Sequence, residues 1–457
     1  EGANTRTEAY WDSIRPIPLS RDEAADYHQK DSIRLVRESR TYIDSMDRVS
    51  NYFRSKNLLL GYTYTRSAKN DAFTFYAPLE LFHFNPIQGW AVGADLRYTR
   101  TKGRGREFNR FLVKTRVDYG FSEKQLRPTL QFQFRFDEIS KSLLELELGK
   151  DLVEFNGQKS SKLFYESSNL FYKNNYIKYF DKEFVALTFG RNLHYDLRWR
   201  SELEFAIRRN AYIHSEFSFW NSSRPYQENQ YADLLPDSLY IFNREVLRWT
   251  QALRWQPGTK VWKTPDELFS LGSSWPVFKL DYTAGVYLKK RQWFQRFSWS
   301  IEKYFDLEEW GEPRLLVEGD HLISKEKPDA PDWIFHNGNG LPFYVNTEGL
   351  GKFLTLYPFG FAGDQQSLAW HLEWDLKGRL LGRIPGVNRL GFNEIFRVSQ
   401  LYVKEFRPYM EWSAGLGNVG YRFFRFLRVE WVNQFHSGGF RNAYLRVGLM
   451  SNILQGQ

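Results

Sequence analysis

The residues of this 457-residue chain that could carry acid–base chemistry are few and scattered. Eight histidines stand at positions 28, 83, 194, 214, 321, 336, 371 and 436, without the spacing of a metal-ligand set. The nearest approaches to an acid–base pair are Asp320 beside His321, and His371 with Glu373 and Asp375. Residues 371, 373 and 375 would share one face of a strand, because strand side chains alternate. A hydrolase built on them would need a serine or an activated water next to the imidazole. No Gly-x-Ser-x-Gly elbow, Gly-x-x-x-x-Gly-Lys phosphate loop or His-Glu-x-x-His motif occurs. Cysteine is absent, which excludes disulfides and Cys-ligated zinc or iron–sulfur centres. The expectation is a chain with no catalytic residues, no cofactor and no metal, whose scattered polar groups line an interior.

More telling is polarity that recurs at every second residue. In Leu130-Gln-Phe-Gln-Phe-Arg-Phe-Asp137, the polar set is Gln131, Gln133, Arg135 and Asp137. Leu144-Glu-Leu-Glu-Leu148 adds Glu145 and Glu147, and residues 197–207 add Arg198, Arg200, Glu202 and Glu204. Each stretch reads as a strand with one apolar and one polar face. A cation on a lipid-facing barrel surface costs about 2–4 kcal/mol at mid-bilayer, so these sets are expected to face a lumen. Near-balanced charge favours cross-strand pairing and a partly filled lumen over a wide selective pore.

Candidate strands recur at 57–66, 72–84, 88–101, 108–121, 127–138, 142–154, 182–192, 195–208, 210–221, 244–256, 276–289, 292–305, 312–323, 366–378, 391–404, 407–417, 422–436 and 441–453. Alternation alone does not separate a soluble sandwich from a membrane barrel. Strand length does: many candidates run to 10–13 residues, where soluble strands centre on about 5–6 and tilted membrane strands need roughly 9–11. Trp90, Tyr119, Trp220, Trp255, Trp293 and Trp412 fall near strand ends, as expected of a membrane girdle. Aromatics make up 18% of the chain, too many for disorder. No apolar run reaches the roughly 18–20 residues of a spanning helix. The expected fold is therefore all-β, a transmembrane antiparallel β-barrel of about 16 strands (14–18) with a short N-terminal helical segment, an even strand number being usual for such barrels.

Residues 1–52 read as an extended lead-in (Arg15-Pro-Ile-Pro18) and a charged helix opened by the capping box Ser20…Glu23 and running to about Asn51, lying in the periplasm or the lumen. Residues 53–457 read as the barrel, with long loops near 156–181, 222–243 and 324–365. The net charge of +9 is spread over both signs, and the longest basic cluster, Arg100 to Arg106, is short and Gly-bearing, so no nucleic-acid partner is expected. The chain begins at Glu1 without a signal peptide, as a processed chain or a fragment would.

Three stretches carry a resemblance. They are Tyr10-Trp-Asp-Ser-Ile-Arg-Pro-Ile-Pro-Leu-Ser20 with Tyr27 and Asp31-Ser32, Asn174-Asn-Tyr-Ile-Lys-Tyr179 with Phe184, and Gly378-Arg-Leu-Leu-Gly-Arg-Ile-Pro385 with Leu390. They resemble an uncharacterised Bacteroidota family of outer-membrane barrels that follow a carboxypeptidase-regulatory-like domain. More distantly, the layout is similar to the outer-membrane assembly-factor superfamily. The resemblance implies a bacterial outer-membrane location and carries no catalytic residues. One departure is the ending Leu449 to Gln457, which lacks the terminal aromatic usual in such barrels. Expected partners are outer-membrane lipid and lipopolysaccharide, together with other outer-membrane or periplasmic proteins in a complex. The expected role is non-enzymatic, in transport, secretion or envelope biogenesis. The alternatives are a scaffold subunit and an outer-membrane lipid or peptide hydrolase.

Overall fold

The structure is a computed structural model. It describes residues 8–15, 19–78, 81–101, 110–137, 140–155, 162–221, 223–227, 229, 241, 245–263, 268–345, 350–358, 360–363, 366–404, 406–421 and 424–449. The basic cluster beyond Thr101, the prolines at 16–18, most of the loop at 222–243 and the last eight residues lie outside these.

Three helices come first: α1 (Glu8–Ile14), α2 (Arg21–Glu38) and α3 (Arg40–Ser50). The capping box forms, with Ser20 N–H donating to Glu23 Oε2 at 2.8 Å and Glu23 N–H to Ser20 Oγ at 3.3 Å. The helical stretch expected to run to about Asn51 breaks at Ser39, whose backbone is extended and whose Oγ caps the amide of Tyr42. Serine competes for backbone groups in this way, which favours caps over helix interiors. A one-turn helix, α4 (Asn57–Leu60), then replaces the start of the first expected strand. Gly61, at φ +85°, ends it.

The strands are β1 (Tyr62–Arg66), β2 (Asp71–Phe75), β3 (His83–Asn85), β4 (Gly89–Thr101), β5 (Arg110–Gly120), β6 (Gln125–Phe136), β7 (Ser142–Glu154), β8 (Tyr179–His194), β9 (Leu197–Asn210) and β10 (Glu245–Trp255), with α5 (Lys162–Tyr172) between β7 and β8. There follow β11 (Lys260–Lys263), β12 (Leu268–Gly272), β13 (Val277–Tyr287), β14 (Gln292–Tyr304), β15 (Glu312–Ser324), β16 (Phe343–Val345), β17 (Ser367–Asp375), β18 (Asn393–Val403), β19 (Tyr409–Tyr421), β20 (Phe424–His436) and β21 (Gly439–Leu449). Nineteen of these form one sheet, in which the long strands pair antiparallel with their neighbours in sequence. The hairpin β11–β12 stands apart. Among the described residues no ladder joins β1 to β21; β16 lies parallel along β21, from Phe343 opposite Val447 to Val345 opposite Leu449.

Burial is inverted relative to a soluble protein. On β9, Glu204, Ala206 and Arg208 are buried while Leu203 and Phe205 are exposed. The same holds round the sheet: Arg127, Arg428, Glu430 and His371 are buried, and Phe134, Leu187, Trp249 and Trp431 are exposed. Water would penalise such an outer face, whereas lipid matches it, and the polar groups satisfy one another inside. The fold is an all-β transmembrane antiparallel barrel. No described helix is long and apolar enough to cross a membrane.

Three strand expectations change. Residues 211–218 form no strand; they fold over the rim, where Ser218 Oγ donates to the carbonyls of Leu170 and Phe171, and Tyr226 OH to those of Asn169 and Phe217. The segment 72–84 splits into β2 and β3 around Pro78, which cannot donate to a ladder. Strands also appear where none was expected: β11 and β12 between the candidates at 244–256 and 276–289, and β16 inside the loop at 324–365.

The connections sort the barrel into two rims. One carries α3, the turn between β1 and β2, and the end of β21; it is the N-terminal rim. The other carries the long connections 155–178, 211–244 and 325–366. The last of these turns into the lumen.

Candidate functional site

The connection between β15 and β17 folds on itself before it meets the wall. Ile334 and Gly363 exchange backbone hydrogen bonds at 2.8 and 3.2 Å, Phe353 N–H donates to Asn337 O at 2.7 Å, and Asn339 N–H to Leu356 O at 2.8 Å. Asp329, Trp333, Phe353 and Leu354 are all buried. This plug is held at two stations.

The first station is Asp332. Arg208 Nη1 donates to its Oδ2 at 2.7 Å, Tyr287 OH donates to the same oxygen at 2.6 Å, and Arg248 stands 3.7 Å from Oδ1. Arg208 and Asp332 are both almost wholly buried. Burial raises the Asp332 pKa, but the two arginine charges and the two hydrogen bonds outweigh it and hold it below the ordinary value. The phenol of Tyr287 in turn accepts from the amide of Asp329 at 2.9 Å.

The second station lies across the lumen on β18 to β21. Glu411 accepts from the amides of Leu354 (2.5 Å) and Thr355 (2.9 Å), from Thr355 Oγ1 (2.7 Å) and from Tyr409 OH (3.0 Å). Arg446 Nε donates to Leu354 O at 2.8 Å, and Arg397 to the carbonyls of Leu350 and Lys352. Tyr344 OH donates to Glu430, which is locked to Arg428 at 2.5 Å, and Arg428 reaches Glu373 at 2.8 Å. Each buried charge thus has a partner, the condition under which an ion lattice survives in a low-dielectric interior.

Between the stations, under the wall of β10 and β13–β15, a polar cavity of about 730 Å³ remains. His336 of the plug lines it, and its Nε2 has no hydrogen-bond partner among the described residues. Burial, with the nearby His371, lowers its pKa from 6.5 to about 4 against the pull of Glu318. The packed imidazole is neutral at pH 5, whereas an expelled one would be protonated below pH 6.5. Acidification from pH 7.5 to 5 therefore favours expulsion of the plug, by about 2 kcal/mol. The opening frequency in a planar bilayer should rise accordingly, and His336→Gln should remove that rise.

The sequence-predicted residues distribute as follows. Gln131, Gln133, Arg135, Glu145 and Glu147 lie on the sheet face shared with buried Arg127. Gln133 donates to Glu145 at 2.7 Å, and Gln131 stands opposite Glu147 in register. Asp137 is not on the strand: it sits in the turn after β6 at φ +60° and accepts from Ser140 Oγ at 2.6 Å. Glu204 pairs with Lys182 and with Arg248 (2.6 Å), and Arg200 with Glu202 (2.9 Å). Arg198 has no ion pair among the described residues. These side chains become more exposed toward the N-terminal rim.

Of the girdle set, Trp90 stacks on Phe82 at 4.9 Å and Tyr119 meets Phe121 edge-on at 5.3 Å. Trp293 is the second residue of β14, so these three mark the long-loop rim. Trp255 closes β10 at the N-terminal rim against Phe278. Trp412 is on the outer face within β19, opposite Val398 and Asn433. Trp220 lies off the sheet against Phe171.

The acid–base residues resolve differently. Asp320 faces the cavity and its neighbour His321 the other side of the strand, so they do not pair. Glu373 is taken by Arg428 and Arg397. His371 Nδ1 lies 2.8 Å from Ser399 Oγ and its Nε2 3.7 Å from Glu318. That is a Ser–His–Glu constellation, but His371 and Ser399 are fully buried and the ring of Phe353 covers the imidazole at 4.6 Å. Among the described residues, the seated plug covers this hydroxyl. No cluster of His, Asp and Glu able to hold a metal occurs among the described residues.

Sequence reading missed the plug anchors. Arg208 was accessible by parity, since it continues the face of Arg198, Arg200, Glu202 and Glu204. Asp332, in an irregular Pro-rich segment, carries no periodic signal.

The fold and its filled lumen define a plugged membrane β-barrel. The chain belongs to the family of unknown function DUF5686, whose C-terminal domain matches residues 56–416. No curated protein matches it. Among solved structures it is similar to BamA from Haemophilus ducreyi lacking POTRA domains 1–3, at 8% identity and TM-score 0.42, over 89% of this chain and 76% of that one. It is also similar to CdiB from Acinetobacter baumannii, at 8% identity and TM-score 0.37, over 78% of this chain. This chain spans 55% of that CdiB chain. A Rh. blastica porin mutant matches at 7% identity and TM-score 0.30, over 78% of this chain and 90% of that one.

Proposed function

We propose that the protein is an outer-membrane barrel that serves envelope transport, secretion or biogenesis with its lumen gated by the plug, and that it is not an enzyme. The observation that carries this reading is the attachment of one loop to opposite walls through Asp332 and Glu411. A passive pore has no need of such a filler, whereas a device that opens on demand has. The resemblance to barrels that follow a carboxypeptidase-regulatory-like domain supports a Bacteroidota outer membrane, with the N-terminal rim in the periplasm. Long loops on the opposite rim agree with that orientation.

The test is conductance of the detergent-purified chain in a planar bilayer, beside a variant in which residues 335–362 are replaced by a short Gly-Ser link between the bridged Ile334 and Gly363. The intact chain is expected to be silent and the variant to give steady steps. Large steady steps in the intact chain would overturn the gated reading. Silence in both, with insertion shown, would favour a scaffold in a larger complex. Turnover of a lipid or peptide that disappears in His371→Ala would establish the hydrolase instead.

A further inference from the structure

The helix α3 is fixed to the barrel by one face and leaves another bare. Asn51, its C-cap, uses its side-chain amide like a short strand: Oδ1 accepts from Thr65 N–H at 2.8 Å and Nδ2 donates to Thr65 O at 2.6 Å. Asp47 accepts from Ser67 N–H at 2.7 Å and from Ser67 Oγ at 2.6 Å. These contacts cover the outer edge of β1 at the N-terminal rim and fix the roll of the helix.

At 100° per residue, Asp47 and Asn51 point toward the rim, and Tyr42, Met46 and Val49 (spaced i, i+4, i+7) fall on one narrow stripe away from it. That stripe has no partner among the described residues: Met46 is 53% and Val49 72% exposed. The chain continues it through Leu58, Leu59 and Leu60, at 59–65% exposure, beside the barrel wall. Phe53, just past the helix, meets Tyr62 of β1 edge-on at 5.2 Å and so joins the stripe to an aromatic row on the outer face at the same rim. In that row Tyr64 stands opposite Phe73, Phe73 packs on Tyr98 at 4.7 Å, and Tyr98 on Phe111 at 6.5 Å. That row is lipid-facing by the logic of the fold, so the helix stripe is continuous with an established lipid interface. The exposed Arg48, Arg54 and Lys56 flank it.

We propose that α3 and α4 form a membrane-surface element. Their apolar stripe is sunk at the acyl boundary of the leaflet at the N-terminal rim, and Arg48, Arg54 and Lys56 meet anionic lipid headgroups. Amphipathic helices with a basic polar side bind bilayers in this manner. The element anchors the start of the barrel at β1, whose edge the side chains of Asn51 and Asp47 cap, and it presents α2 along the membrane. This inference rests on the barrel fold and is independent of the plug.

The chain has no cysteine, so single labels report cleanly. Met46→Cys, Val49→Cys and, on the polar side, Asp44→Cys would each carry an environment-sensitive bimane in the full chain. The chain would be reconstituted in nanodiscs of phosphatidylcholine with about one-fifth phosphatidylglycerol. Blue-shifted emission is expected at 46 and 49, with quenching by headgroup-region nitroxide lipid at least about threefold stronger than at 44. Aqueous iodide should rank the sites in the opposite order. Equal iodide quenching at 44 and 49 would overturn the proposal. Protection of 46 and 49 from both quenchers would overturn it in favour of a protein covering this face. All three positions are exposed and take no part in the bonds that Asp47 and Asn51 make, and an unchanged heat-modifiable band would verify the barrel.

Discussion

Asp332→Ala is expected to unseat the first half of the plug. The substitution leaves the buried guanidinium of Arg208 without its carboxylate and the phenol of Tyr287 without its acceptor. Removing one partner of a buried pair costs about 3–5 kcal/mol, mostly because the stranded charge stays desolvated. At 1.4 kcal/mol per decade, the lower bound raises the open fraction of the lumen by on the order of 100-fold. Single-channel recording should show frequent openings where the native chain shows none. The double variant Asp332→Ala with Arg208→Met should recover much of the closed state, since no orphan charge remains. Acid acts in the same direction. The pKa of Asp332 is held below 3.8, so its contribution is complete above that value and disappears as pH falls through the lowered one. Its loss follows that of His336, which sets in from pH 6.5 downward. Openings in Asp332→Ala no more frequent than in the native chain would mean that the contact at β9 and β13 does not hold the plug.

Glu411→Ala is expected to loosen the second station without freeing the first. Its carboxylate is the acceptor for two plug amides and one plug hydroxyl. An orphaned buried donor costs about 1–3 kcal/mol, so two amides bring the loss to several. The readout is hydrogen exchange at Leu354 and Thr355, whose amides should exchange at least about 30-fold faster for 2 kcal/mol lost, while strand amides of β9 and β10 keep their protection. Glu411→Gln should lie between the two, because one of its two terminal atoms still accepts. Unchanged protection at 354 and 355 would assign their stability to the packing of Phe353 and Leu356 against Ala369 and Leu401 instead. Together the two variants ask whether the plug moves as one body or by halves. The bridge between Ile334 and Gly363 lies between the stations and favours one body.

The wall of the barrel was legible because its rule is local. A period of two over ten or more residues needs no distant partner to be read, and the strand at 142–154 falls on its expected bounds. The capping box at Ser20 and Glu23 is local in the same sense. Errors arose where two local signals compete: Ser39 as helix interior or double cap, Pro78 inside an alternating run, and residues 211–218, whose alternation serves rim packing instead of a ladder.

By itself, then, the sequence determined a chain of long amphipathic strands, polar on one face and apolar on the other, and with it the inverted barrel. It did not determine what fills that barrel. Asp332 and Arg208 are 124 residues apart, and Leu354 and Glu411 are 57 apart. A carboxylate in a Pro-rich loop looks the same whether it meets water or a buried arginine. Only the curling of the sheet brings β9, β13 and β19 round a common axis, excludes water from between them, and makes those charges choose each other.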